Sequence, residues 1–439
     1  MKVVGLITEY NPFHNGHKYH IHQARQITGA DYVIAVMSGN FVQRGAPAMI
    51  DKYSRTQMAL NNGVDLVLEL PVCYATGSAE YFAHGAVSIL DKLGVVNTIC
   101  FGSECGDISL LSLAARFLSD APDSFERQLL EHMKSGSSYP AARRKALEQS
   151  IEETAPSKKH KLAGVLTEPN NILGIEYMKA LLDFSSSITP VTIQRVSAHY
   201  HDQELSGFND QSKEEVREDA PFHIPVISSA TAIRNALHSQ KGQAPAAFFD
   251  ASLSVPEDVA AFLRESYHRT YPITEEDFAS IIKYKLRTED RGSLTTYLDI
   301  TPDLADRLKN SRNFNQSIRS LNQEIKTKNL TLTRINRAMI HILLNIKTAA
   351  IRDYISRGYT PYARVLGVRK EASLLLRSIE QNGSIPVITR VSKAGRLLDE
   401  SGMQMLSEDI LASDLYNQAV YDRYGTEIPN EYKHGICLL

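Results

Sequence analysis

Four apolar, β-branched runs separated by helical patterns constrain this chain more than any other feature. They fall at 2–8 (KVVGLIT), 31–38 (DYVIAVMS), 64–70 (VDLVLEL) and 96–102 (VNTICFG). Each is the length of one fully buried strand and ends in turn residues. Helical patterns fill the gaps at 16–28, 52–62 and 77–93, the last with Phe82, Ala83, Ala86, Ile89, Leu90 and Leu93 on one face. This alternation predicts an α/β fold, a Rossmann-like doubly wound parallel sheet. Ligands of such sheets sit beyond the carboxyl ends of the strands. Residues 8–20, 38–50, 71–78 and 102–107 should therefore surround one crevice.

Helical segments are expected at 108–118, 123–135, 140–150 and 172–184, with a Lys-rich loop at 155–161 and a strand at 190–196. Residues 199–226 read as a long polar loop. From about 243 the character changes, and helical patterns dominate at 275–287, 303–309, 314–326, 331–357, 370–381 and 407–423, with a short β-like piece at 385–391. Two domains follow, 1–240 with the parallel sheet and 241–439 mainly α-helical, which 439 residues can accommodate.

The chemistry concentrates in Thr8–Glu9–Tyr10–Asn11–Pro12–Phe13–His14–Asn15–Gly16–His17, directly after the first run. A strand ends, a Pro-containing loop turns, and a helix opens near Gly16. Free N–H groups at a helix start favour phosphate, and imidazoles at i and i+3 share a helix face. His14 and His17 can donate to phosphoryl oxygens as charge develops, with Lys18 and His20 adding positive charge. Alone, two such histidines can equally form a metal pair or a surface cluster; the position after the first strand of an α/β sheet favours phosphate. A second candidate is Ile227–Ser228–Ser229–Ala230–Thr231–Ala232–Ile233–Arg234, where a Ser N-cap with Thr and Arg in the first turns suits an anion or simply a capped helix. No G-x-x-x-x-G-K-[ST] is present, so a P-loop reading fails. Gln43, Arg44, Lys52 and Arg55 are either contacts for phosphate or incoming nucleotide, or a salt-bridge cluster at a helix start.

T-x-x-N-P-F-H-x-G-H resembles the HxGH motif of the nucleotidyl-transferase superfamily, and Ile227–Arg234 resembles its ISSTxIR motif, with Ala230 in place of the second Ser. The resemblance implies that His14 and His17 stabilise the α-phosphate of ATP and that Gly16 sits against adenine or ribose. Ser229, Thr231 and Arg234 would hold the β- and γ-phosphates, and Ala230 supplies no hydroxyl to them. Together with the stretches MSGNFVQRG (37–45), DKYSRTQMAL (51–60), FGSE, PNNILGIEY, ISSATAIR and YARVLG, the chain resembles the tRNA(Met) cytidine acetate ligase family over nearly its whole length. That resemblance implies activation of acetate with ATP to acetyl-adenylate and pyrophosphate, then acetylation of the wobble cytidine of elongator tRNA(Met) to 4-acetylcytidine. The family's ATP site would map onto Ile7, Thr8, Glu9, Tyr10, Asn11, Pro12, Phe13, His14, Asn15, Gly16, His17, Lys18, Tyr19 and His20, with Gly102, Asn170 and Arg195. Asn170 and Asn171 can equally cap the helix that follows. Magnesium is expected with the triphosphate on general grounds, and no carboxylate cluster declares a dedicated metal site.

Charge supports a polyanionic partner. Residues 301–400 hold eighteen Lys and Arg against eight Asp and Glu, although the whole chain has a formal net charge of −2. Such a run is either a solvated face or a nucleic-acid surface; on the second reading Arg334, Arg337, Lys347, Arg352, Arg364, Arg369 and Lys370 contact tRNA. No window reads as a membrane span and no signal segment precedes Val3, so the expected compartment is the cytoplasm. The four cysteines are too few for a disulfide framework. Two other readings remain in view. A small-molecule adenylyltransferase of NAD or coenzyme A synthesis leaves the basic helical third unexplained, and an RNA-binding protein on a disabled nucleotide fold leaves both histidines unexplained.

Overall fold

The computed structural model describes residues 1–121, 123–137, 139–154, 164–195, 228–238, 254–311 and 315–439. The chain begins with β1 (Val3–Thr8), α1 (Asn15–Thr28), β2 (Tyr32–Ser38), α2 (Lys52–Asn61), β3 (Leu66–Leu70), α3 (Ala79–Lys92) and β4 (Thr98–Ser103). It continues through α4 (Pro169–Asp183) and β5 (Thr189–Gln194) to α5 (Ala230–His238). The apolar runs form strands because both faces of each are covered, so alternation with polar residues is absent. Ile34, Val36, Leu66 and Leu68 pack into one core beneath α3 and α4. Val33, Ala35, Met37 and Val67 pack into another with Ile21 of α1 and Met58 of α2.

β1 runs parallel to β2, from Val3 opposite Tyr32 to Thr8 opposite Met37, and parallel to β4 on its other side. The five strands lie in the order β3-β2-β1-β4-β5. The chain therefore reverses its direction of winding beside β1, and the switch point opens where the HNGH segment starts. Local chemistry fixes the helix ends. Asp51 caps α2 by accepting from the N–H groups of Tyr53 and Ser54, both at 2.9 Å, and Gly29 ends α1 in the left-handed region at φ +61°.

The second half is mainly helical, as the sequence predicts, but it returns to the sheet. After α6 (Leu332–Leu344), β6 (Ala363–Val368) lies antiparallel to β3, with Glu69 opposite Arg364. A short strand, Val387–Ile388, pairs with β6, and after α7 (Glu400–Tyr424) the final strand β7 (Cys437–Leu438) does so too. The predicted single helix at 331–357 is two helices, because Asn345 adopts φ +60° and ends α6; a second helix spans Thr348–Ser356. The expected loops at 155–161 and 199–226, and the change of character near 240, lie largely or wholly outside the described residues.

A buried ionic cluster joins the two halves. Lys52 is fully buried with its Nζ 2.6 Å from Glu69 Oε1 and 3.0 Å from Glu431 Oε1. Arg364, also buried, pairs with Glu69 at 3.3 Å and with Glu431. No helix among the described residues is long and apolar enough to cross a membrane.

Candidate active site

The HNGH segment leaves β1 through a sharp turn. Tyr10 takes φ +48°, a conformation L residues adopt at a cost. Its ring is held 4.8 Å from both Phe13 and His17, with the Phe13 and His17 rings 5.6 Å apart. The strained residue is thus locked by the apolar packing around it. Asn11 Oδ1 accepts from Met49 N–H at 2.9 Å, which binds this turn to the loop after β2. The Asn15 N–H, at the first turn of α1, donates to Ser254 O at 2.9 Å.

His14 and His17 come together as their spacing predicts, with rings stacked 3.6 Å apart at 19°. His17 Nδ1 accepts from the His14 backbone N–H at 3.3 Å, so a neutral His17 carries its proton on Nε2. Burial pulls His14 down to about 3, with Arg195 and Arg234 adding to the effect. Burial, then His14, His20 and Arg195, holds His17 well below the usual imidazole range, and burial with Arg195 takes His20 to about 4. The site therefore offers neutral imidazole N–H donors beside permanent guanidinium charge. His14 Nδ1 is buried with no hydrogen-bond partner among the described residues.

The second motif docks onto the first. Ser229 Oγ accepts from Ala232 N–H at 3.0 Å at the start of α5. Arg234 Nη1 donates to Asn11 O at 2.7 Å and its Nη2 to Thr231 Oγ1 at 3.0 Å. The guanidinium thus joins the HNGH turn to the α5 N-terminus and brings the two motif segments together. Ile227 lies outside the described residues.

The far wall comes from β4 and β5. A Cβ at Gly102 would lie 3.3 Å from Arg195 Cγ, so glycine leaves the passage for that side chain across the strand end. The asparagine pair divides its work. Asn171 is buried, and its Oδ1 accepts from the N–H groups of Glu104 and Cys105 at 2.9 and 3.1 Å. Glu104 answers by accepting from Asn171 N–H at 2.8 Å and from Asn170 Nδ2 at 2.6 Å. This reciprocal clamp fixes the mouth of the crevice. Sequence reasoning misses Glu104; the one signal for it is an acidic residue immediately after a strand that ends at the crevice.

Several sequence-based candidates serve the scaffold. Arg55, fully buried, donates to four carbonyls: Ile50 O at 2.9 Å, Glu9 O at 2.6 Å, Ser38 O at 3.0 Å and Gly39 O. Lys52 is consumed by Glu69 and Glu431. Neither is available to phosphate: Lys52 follows the salt-bridge alternative, whereas Arg55 is spent on backbone carbonyls, which neither alternative anticipates. Gln43 and Arg44 do lie at the crevice: the Gln43 N–H donates to Glu9 Oε1 at 2.8 Å, and Arg44 is exposed beside Glu9.

The basic candidates separate in the same way. Arg364 is buried in the ionic cluster, which removes it from any tRNA surface. Arg369 and Lys370 follow β6 at the amino-terminal end of β3, where the Arg369 N–H donates to Asp65 O, and so lie at the end of the sheet opposite the crevice. Arg334 and Arg337 stand on α6, Arg337 paired with Asp299 at 2.8 Å. Lys347 Nζ lies 3.1 Å from the Tyr297 ring centre, and Arg352 is exposed. A Cβ at Gly45, whose φ is +73°, would fall 2.2 Å from Arg337 N, so the loop carrying Gln43 and Arg44 presses directly on α6.

A model of the HIGH nucleotidyl transferase family matches residues 1–429. A tRNA(Met) cytidine acetate ligase from Halothermothrix orenii is 38% identical over 424 residues, covering 95% of this chain and 94% of its own length. The protein of the same name from Acetivibrio thermocellus is 38% identical with both chains fully covered. Among solved structures, Thermotoga maritima TmcAL bound with alpha-thio ATP is 30% identical with TM-score 0.86. The apo form is 31% identical with TM-score 0.87, and each covers all of both chains.

Proposed function

Because this chain belongs to the tRNA(Met) cytidine acetate ligase family of HIGH nucleotidyl transferases, we propose that its crevice activates acetate on ATP and passes the acetyl group to cytidine of tRNA(Met). The observation that carries the reading is the contact of Arg234 with Asn11 O, which unites both phosphate motifs at the sheet's switch point. An acetate oxygen attacks the α-phosphorus, the α–β bridge bond breaks, and pyrophosphate leaves with the electron pair, giving acetyl-adenylate. His17 donates from Nε2, with His14 beside it, to the α-phosphoryl oxygens as their charge grows. Ser229, Thr231 and Arg234 take the β- and γ-phosphates, while Gly102 and Arg195 flank the nucleoside. No protein nucleophile is required, because positioning and charge stabilisation suffice.

In the second step the exocyclic amine of the wobble cytidine of the elongator tRNA attacks the acetyl carbonyl and AMP departs. Of the basic third, Arg334, Arg337, Lys347 and Arg352 would hold the tRNA backbone. Among the described residues no group of three or more His, Cys, Asp or Glu could hold a metal ion. Magnesium would enter on the triphosphate oxygens, as part of the substrate. The cytoplasm, where tRNA and ATP meet, is the compartment this activity requires.

The test is incubation of the protein with ATP, radiolabelled acetate and total bacterial tRNA, followed by nucleoside analysis. Label in 4-acetylcytidine from tRNA(Met) is the expected result. Unlabelled RNA, with ATP–pyrophosphate exchange driven by another small substrate, would move the assignment to a metabolic adenylyltransferase.

A further inference from the structure

One charged group of the crevice has no task in the chemistry above. Glu9 follows the last residue of β1, and its position is fixed at several points. The Gln43 N–H donates to its Oε1 at 2.8 Å, and Arg55 Nη1 donates to its backbone oxygen at 2.6 Å. The Arg44 and Arg234 charges both act on its carboxylate, and Tyr177 stands close enough to feel it. Among the described residues no hydrogen bond reaches Oε2. A carboxylate is a poor neighbour for a triphosphate, yet here one stands at the phosphate crevice, held by the Gln43 N–H.

The substrates differ in whether they carry a proton to lose. Acetate enters as an anion, so a base has nothing to remove during adenylation. The cytosine amine is different: its lone pair is delocalised into the ring, and attack on the acyl carbon must shed an N–H proton. We infer that Glu9 is the general base of the acetyl-transfer step, an assignment that rests on the ligase reading. The cytidine N4 forms its bond to the acetyl carbonyl carbon while one N4 proton passes to Glu9 Oε2. The bond from that carbon to the phosphate oxygen then breaks, and AMP leaves with the electron pair. Glu9 returns the proton to solvent as the product departs. Because Oε1 is occupied by Gln43, Oε2 is the oxygen that receives the proton.

Glu9→Gln keeps the shape of the side chain and an oxygen that accepts from Gln43 N–H, but removes the base. Three quantities separate its roles: acetate-dependent ATP–pyrophosphate exchange, tRNA binding, and single-turnover acetyl transfer from acetyl-adenylate preformed on the enzyme. Glu9 belongs to the ATP-site segment, so exchange falls as well; the expected result is transfer reduced ~100-fold or more beyond the loss of exchange, with tRNA binding retained. Glu9→Asp, which retains a carboxylate, should recover part of the transfer rate and none of the difference in exchange. Transfer at the wild-type rate in the Gln variant overturns the assignment. So does an equal loss of exchange, which would place Glu9 in adenylation. Wild-type protein that labels no tRNA overturns the ligase reading itself and the assignment with it.

Discussion

Arg234 donates to the backbone oxygen of Asn11 at 2.7 Å, tying two segments more than two hundred residues apart into one nucleotide crevice. The contact is a charge-assisted bond to a carbonyl in a turn that also contains Tyr10 at φ +48°. Its removal releases the turn as well as a cation. Arg234→Ala should therefore lower acetate-dependent ATP–pyrophosphate exchange by ~100-fold. Binding of tRNA, measured by filter retention, should be nearly unchanged.

His17 is expected to be the more sensitive of the two stacked histidines. Its Nδ1 is engaged by the His14 N–H, so Nε2 is the nitrogen left to donate. His17→Ala should reduce exchange by a factor on the order of 10² to 10³. His17→Gln, whose amide can still donate, should retain more activity than Ala. Equal loss in both variants would show that the donor geometry at Nε2 does not matter.

Gly45 is a steric checkpoint between the loop after β2 and α6. Its φ of +73° and the 2.2 Å approach to Arg337 N leave no place for a Cβ. Gly45→Ala should destabilise the protein by about 2 kcal/mol or more, read from chemical denaturation. It should also depress acetyl transfer in the surviving folded fraction, because Gln43 and Arg44 share that loop.

Glu408 on α7 gives a pH dependence with a definite sign. Burial pushes its carboxyl up to about 7, opposed by the hydroxyl of Tyr354 that donates to it at 2.9 Å. A carboxyl raised in the folded state contributes stability that is fully present below its unfolded value, near 4.3, and is lost as pH rises through about 7. Glu408→Gln should consequently be more stable than wild type at pH 8 by about 2 kcal/mol, with the gap closing toward pH 4. Melting temperatures across that range decide it.

The basic surface can be divided by salt. Arg334 and Arg352 are predicted to meet phosphate, so replacing either with Ala should weaken tRNA binding and flatten the slope of log K against log salt by about one. Arg369→Ala, at the far end of the sheet, should leave that slope as it is.

Most of the catalytic half is legible in the sequence because its strands are covered on both faces, and such strands announce themselves as unbroken apolar runs. HNGH is legible because a strand end followed by two spaced imidazoles allows few explanations. What escapes depends on partners distant in sequence. The role of Arg55 is to satisfy four carbonyls, and nothing local distinguishes it from a phosphate ligand. Arg364 resembles one more surface cation because Glu69 and Glu431 are far away along the chain. The break at Asn345 turns on one residue accepting a left-handed conformation within an otherwise continuous helical pattern. The residues of β6 carry a family likeness, but their place beside β3 is a fact of topology.

That placement has a consequence for how the protein comes into being. On a ribosome, β3 emerges with one edge bare and waits for some three hundred further residues before its antiparallel neighbour arrives. Lys52, already bound for the interior, stays without Glu431 until the chain is nearly finished. A nascent or truncated enzyme therefore exposes a sticky strand edge beside a Lys52–Glu69 pair that still lacks Arg364 and Glu431.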